Sequence, residues 1–147
     1  MKSKIIFPIL LLALSFYAFT SNTVSDEKEP WSESQLIEPA TLAKIMNDPE
    51  AKQPLIYSVG PVADIKGCID FGAAQDKENL DKLKAALSKL PKDADIVIFC
   101  GCCPFEHCPN IRPAYKLLNE MKFTNHKLLN LSTNLKVDWI EKGYPVN

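Results

Sequence analysis

Ile96-Val97-Ile98-Phe99-Cys100-Gly101-Cys102-Cys103-Pro104-Phe105-Glu106-His107-Cys108-Pro109-Asn110-Ile111-Arg112-Pro113-Ala114 is the stretch that decides the fold. Its first four residues are wholly apolar, as in a strand buried on both faces of a parallel sheet. The strand delivers Cys100 into a loop, and the loop opens a helix over Asn110 to Met121, with Tyr115, Leu118 and Met121 on one side. Pro113 is tolerated there because it falls in the first turn.

Working outward, strand-like and helix-like segments alternate. Leu36-Ile37 predicts a brief first strand, and Pro39 to Met46 a helix stopped by Asn47-Asp48-Pro49. Leu55 to Val59 reads as a short buried strand ended by Gly60-Pro61, and Cys68 to Phe71 as another closed by Gly72. Asp76 can cap a helix whose Leu80, Leu83, Leu87 and Leu90 share a face. Leu128 to Leu131 predicts a further strand, and Val137 to Lys142 a final helix ended by Gly143. Alternation of this kind implies an α/β fold with a mostly parallel central sheet of about five strands. Ligands bind such sheets at the carboxyl ends of the strands, where Cys100 stands.

The chain has 147 residues and five cysteines, Cys68, Cys100, Cys102, Cys103 and Cys108. Four lie within nine residues, a poor layout for stapling a fold, because a bridge inside so short a loop removes little unfolded-state entropy. The cluster reads as chemical. Thiolate is the reactive form of cysteine, and loop N–H groups with a helix N-terminus favour negative charge at the strand tip. Arg112 at the helix start adds a permanent cation able to hold an oxyanion. A thiolate beside an anion cradle suits attack on an anionic sulfur donor.

Residues 1–20 read as a secretory signal: a basic Met1-Lys2-Ser3-Lys4, then an uncharged run from Ile5 to Phe19. The run is short of the about 20 apolar residues a membrane span needs. The protein is therefore expected to be exported, periplasmic or extracellular, with no membrane contact after cleavage; an uncleaved N-terminal anchor is the alternative. Residues 21–34 read as an acidic linker and 35–147 as one domain, large enough to bury a core. Taking Lys2 and Lys4 from the 17 basic residues leaves 15 against 18 acidic ones, which argues against a nucleic-acid partner.

An apolar strand ending in cysteine, a loop, and arginine at a helix start resembles the active-site segment of rhodanese-like domains. Leu55-Ile56-Tyr57-Ser58-Val59-Gly60 is similar to the family's Leu-Ile-Asp-Val-Arg strand, and Gly67-Cys68-Ile69-Asp70-Phe71-Gly72-Ala73 to its Gly-His-Ile-Pro-Gly-Ala segment. Trp139 and Gly143-Tyr144-Pro145-Val146 resemble its C-terminal ending. The resemblance runs from about Leu36 to Val146 and implies a sulfurtransferase needing no cofactor. Cys100 would take sulfur from a small donor such as thiosulfate and pass it, as a persulfide, to a thiol or other nucleophilic acceptor, protein thiols included. Arg112 would orient the donor. Gly101, Phe105, His107 and Asn110 would line the substrate loop, and Cys102, Cys103 and Cys108 would serve as resolving or relay thiols.

The chain also departs from the family pattern. The family's arginine follows its cysteine by five residues, whereas Arg112 follows Cys100 by twelve. The usual aspartate and arginine of the second strand are Ser58 and Gly60, and the usual histidine is Cys68. Two other functions fit the loop. Cys100 and Cys103 form a Cys-x-x-Cys pair after a strand, as in thiol–disulfide oxidoreductases, although only 44 residues follow Cys103. Cys102, Cys103, His107 and Cys108 contain enough donors for a metal-binding module, although structural zinc sites usually pair two separated ligand turns.

Overall fold

The computed structural model describes residues 29–147. The signal sequence expected over 1–20 and the start of the expected linker lie outside them. Among the described residues, no helix is long and apolar enough to cross a membrane.

Among the described residues five strands form one sheet: β1 (Leu36–Ile37), β2 (Leu55–Ser58), β3 (Ile69–Asp70), β4 (Ile96–Phe99) and β5 (His126–Leu129). Their order is β1-β5-β4-β2-β3, and every neighbouring pair is parallel. The expected α/β class with a parallel five-stranded sheet is what the chain forms. Strand β4 is central, paired from Leu55↔Ile96 to Ser58↔Phe99 on one side and from Ile96↔His126 to Ile98↔Leu128 on the other. All four of its residues are buried, which is why the sequence there carries no polar side chain. At the edge, β3 has both residues exposed, and its short length blunts an unpaired ladder.

Side chains alternate across β4 and sort the core into two layers. Ile96, Ile98 and Cys100 pack on one face with Leu83 and Leu87 of helix α2 (Lys77–Leu87) and Ile111, Ala114, Tyr115 and Leu118 of helix α3 (Ile111–Glu120). Helix α1 (Pro39–Asn47) lies on the opposite side of the sheet. Val97 and Phe99 face the other layer, with Leu42 and Ala43 of α1, Leu135 and Trp139. The alternation carries on past the strand, so Cys100 points toward α2 and α3.

Three local expectations are corrected. Strand β5 covers His126–Leu129 instead of Leu128 to Leu131, because pairing with β4 starts at His126 and Leu131 leaves the ladder to accept the Phe105 N–H at 3.1 Å. The final helix is a single π-helical turn, Lys136–Ile140, in which the Glu141 N–H reaches back five residues to the Lys136 carbonyl. That wide turn seats Trp139 in the core, its Nε1–H donating to the Pro145 carbonyl at 2.8 Å. Asp76 stands at the N-cap of α2 but makes no side-chain capping bond.

The described end of the segment expected as linker is packed on the domain. Trp31 lies with its ring centroid 5.8 Å from Phe105 and 5.7 Å from Tyr115, and a 3-10 turn over Glu33–Gln35 follows. An indole in that position buries apolar area that a solvated linker would leave in water.

Candidate active site

Cys100 follows the last residue of the central strand, at the carboxyl end of the sheet. Around its sulfur the fold gathers groups from two loops, the one that follows β4 and the turn after β2. Asn110, immediately before α3, is 3 % exposed and donates from Nδ2 to Cys100 Sγ at 3.5 Å. Its Oδ1 accepts the Gln75 N–H at 3.1 Å. That bond fixes which end of the amide faces the sulfur. Cys102 Sγ lies 3.3 Å from Cys100 Sγ, and Cys103 Sγ lies 3.3 Å from Cys102 Sγ. The sulfurs of Cys100, Cys102, Cys103 and Cys108 all fall within 4.8 Å of one another.

The electrostatics of Cys100, Cys102 and Cys108 diverge. Cys100 is lowered from the ordinary value of 9.0 to about 5, chiefly because the Cys108 thiol donates to it. Burial works against this, and the Cys102 N–H, the Cys102 thiol and the Asn110 amide add to the lowering. Cys102 is pushed up to about 12 by burial and by its contacts with Cys103 and the anionic Cys100. Cys108 is pushed up too, first because it donates to Cys100 and then because it is buried. The Cys100 thiolate is thus held between the protonated thiols of Cys102 and Cys108. The disparity is built by the loop's own donors.

The backbone closes the other side of the sulfur. A Cβ built on Gly60 would sit 2.3 Å from Cys100 Sγ, so only glycine admits the sulfur there. Ser58 shapes this approach: it is fully buried and donates from Oγ to the Val62 carbonyl at 2.9 Å, holding the turn after β2. Gly101 is similarly confined, since a Cβ would come within 3.0 Å of both Leu135 and Val62. Its carbonyl accepts the Leu135 N–H at 3.0 Å.

The other residues expected at the site take different places. The Arg112 guanidinium donates to the Glu106 carbonyl at 2.8 Å, pairs with Glu29, and lies 5.6 Å from the Trp31 ring. Its charge is spent on bracing the loop and the N-terminal segment instead of standing free at the sulfur. Phe105 is buried against Trp31, so it belongs to the core. His107 is exposed and lies outside the four-sulfur group. The metal donors that the fold collects are therefore Cys100, Cys102, Cys103 and Cys108, and the expected set changes by that exchange. Cys68 donates to the Ala63 carbonyl at 3.3 Å, away from the loop thiols.

Sequence reasoning missed Gly60, Ser58 and Glu29 as parts of this arrangement. Gly60 carried a signal: with Ser58 opposite Phe99, the turn two residues past β2 comes up beside the tip of β4, where Cys100 stands. Glu29 carried none, because only tertiary packing brings it to Arg112.

No family model matches the chain, and no curated protein matches it. Among solved structures, a cysteine-to-serine variant of EanB in complex with hercynine is similar in fold, with a TM-score of 0.51 at 18 % identity. The match covers 77 % of this chain and 27 % of that one, so the chain spans about a quarter of EanB's length. At that identity the likeness is one of fold, that of a parallel α/β sheet.

Proposed function

We propose that this protein is a sulfurtransferase of the rhodanese type that carries sulfane sulfur as a persulfide on Cys100. The observation that carries the reading is the donor cradle at the end of β4, where Asn110 Nδ2, the Cys102 N–H and the Cys108 thiol all aim at one sulfur. Such a cradle keeps a nucleophile anionic without a general base. The same donors that hold the thiolate suit the negative charge of a persulfide.

The chemistry balances without an oxidant. The Cys100 thiolate attacks the outer sulfur of thiosulfate; a Cys100–sulfur bond forms, the donor's S–S bond breaks, and sulfite leaves with its electron pair. An acceptor thiolate then attacks the outer sulfur of the persulfide, and Cys100 departs as thiolate. A sulfur whose pKa is held low is a good leaving group. The EanB structure, which pairs a cysteine-to-serine replacement with bound hercynine, is in keeping with a cysteine and a small ligand on this fold. In this reading the protein works outside the cytoplasm after loss of its N-terminal signal, on a small sulfur donor and a thiol acceptor.

Intact-mass spectrometry of the reduced domain after thiosulfate treatment tests the proposal. One sulfur added to the wild type, absent from Cys100→Ser and removed by a reductant, is the expected result. Loss of hydrogens alone would point instead to dithiol oxidation. For that chemistry the contact of Cys100 with Cys102 at 3.3 Å is closer to bonding than the Cys100/Cys103 spacing suggested.

A further inference from the structure

The persulfide reading leaves a problem of access. Cys100 is 1 % exposed. Gly60 presses on one side of its sulfur, and buried Asn110 and Cys108 occupy others. A small ion needs only a side-chain shift to reach it, whereas a thiol on a protein surface cannot follow. Cys102 is the exposed member of the cluster, and its sulfur touches that of Cys100 at 3.3 Å.

We infer that Cys102 is the port through which sulfur leaves the domain: the Cys100 persulfide hands its outer sulfur to Cys102, and an acceptor protein's thiol collects it there. This inference rests on the persulfide reading and adds a second sulfur carrier with a macromolecular acceptor. In the step, Cys102 loses its proton to solvent and its thiolate attacks the outer sulfur. A Cys102–sulfur bond forms, the Cys100–sulfur bond breaks, and the electron pair returns to Cys100. No oxidant or reductant is consumed, because the persulfide only changes residue.

Geometry sets the direction of the transfer. The Cys100 sulfur is buried and returns to a cradle already in place, with Asn110 Nδ2 at 3.5 Å, whereas Cys102 meets it at 3.3 Å and is open to solvent. Cys103, half-buried and 3.3 Å from Cys102 Sγ, sits behind the port.

The test compares the full chain as wild type, Cys102→Ser and Cys102→Ala. Each is loaded with thiosulfate and discharged either to cyanide or to a small reduced protein bearing one surface thiol. In both variants the ratio of discharge to the protein thiol over discharge to cyanide is expected to fall about tenfold or more, because the accessible exchange partner is gone. Peptide mapping after alkylation is expected to find sulfur on Cys100 and Cys102 in the wild type, and on Cys100 alone in the variants. An unchanged ratio with sulfur confined to Cys100 would overturn the port while leaving the persulfide reading intact. A wild type that takes up no sulfur would sink both.

Discussion

Gly60 lies against the reactive sulfur: a Cβ at that position would come within 2.3 Å of Cys100 Sγ and 3.1 Å of its Cβ. The chain has no room for any side chain there unless Cys100 moves, and Cys100 is anchored by the central strand. Gly60→Ala is therefore expected to displace the sulfur from its donors and slow persulfide loading at least about tenfold, with overpacking costing about 1–3 kcal/mol. Single-turnover loading and denaturant unfolding of the same variant measure the two effects. Loading at the wild-type rate would mean that the loop yields without disturbing the cradle.

Asn110 tunes the thiolate through one bond of 3.5 Å. Removing a donor to the charged form raises an acid's pKa. In Asn110→Ala the midpoint of iodoacetamide alkylation against pH is expected to move upward from near 5 by roughly one unit. A midpoint that stays in place would assign the whole lowering to Cys108 and Cys102.

The same lowering sets a pH dependence of stability. Cys100 titrates at about 5 folded against 9.0 for an ordinary thiol, so between those values the unfolded chain holds a proton that the folded one lacks. Stability from this group is full above pH 9 and is lost as pH falls toward 5. Cys102 acts in the opposite sense: its proton is kept to about 12, so its contribution declines from pH 9 upward. Melting temperatures of wild type minus Cys100→Ser, taken from pH 5 to 9, are expected to rise with pH. A flat difference would show that Cys100 is not an anion in the folded state.

Arg112 separates two roles by experiment. With its guanidinium on the Glu106 carbonyl and Glu29, Arg112→Met is expected to cost about 1 kcal/mol. Protease cleavage between Glu29 and Gln35 should quicken as that end loses its brace. Loss of thiosulfate loading without loss of stability would instead make the guanidinium a donor-binding group.

The central strand is the part of the core with most to lose. Ile98 is fully buried between β2 and β5, and Ile98→Ala is expected to destabilise by about 2–5 kcal/mol in urea unfolding. A cost under about 1 kcal/mol would mean that the layer collapses onto the cavity.

The sequence by itself determined the architecture and the position of the thiol. Ile96 to Phe99 carries no polar side chain because β4 is paired on both edges and covered on both faces, and that constraint is written locally. Helix spacing, turn residues and strand alternation are equally local, so the order of elements and the place of Cys100 at a strand tip were legible. Boundaries slipped where long-range pairing decided them, as at β5, whose start is set by the Ile96↔His126 register. The site's electrostatics belonged to the tertiary structure. Nothing in the spacing of Cys100, Cys102, Cys103 and Cys108 says which sulfur is anionic; that follows from Cys108 and Asn110 turning back onto β4. Nor does sequence reveal that Arg112 meets Glu29, 83 positions away, or that Gly60 walls the sulfur. These are contacts between segments that only packing brings together, and their energies depend on burial, which a linear pattern does not record.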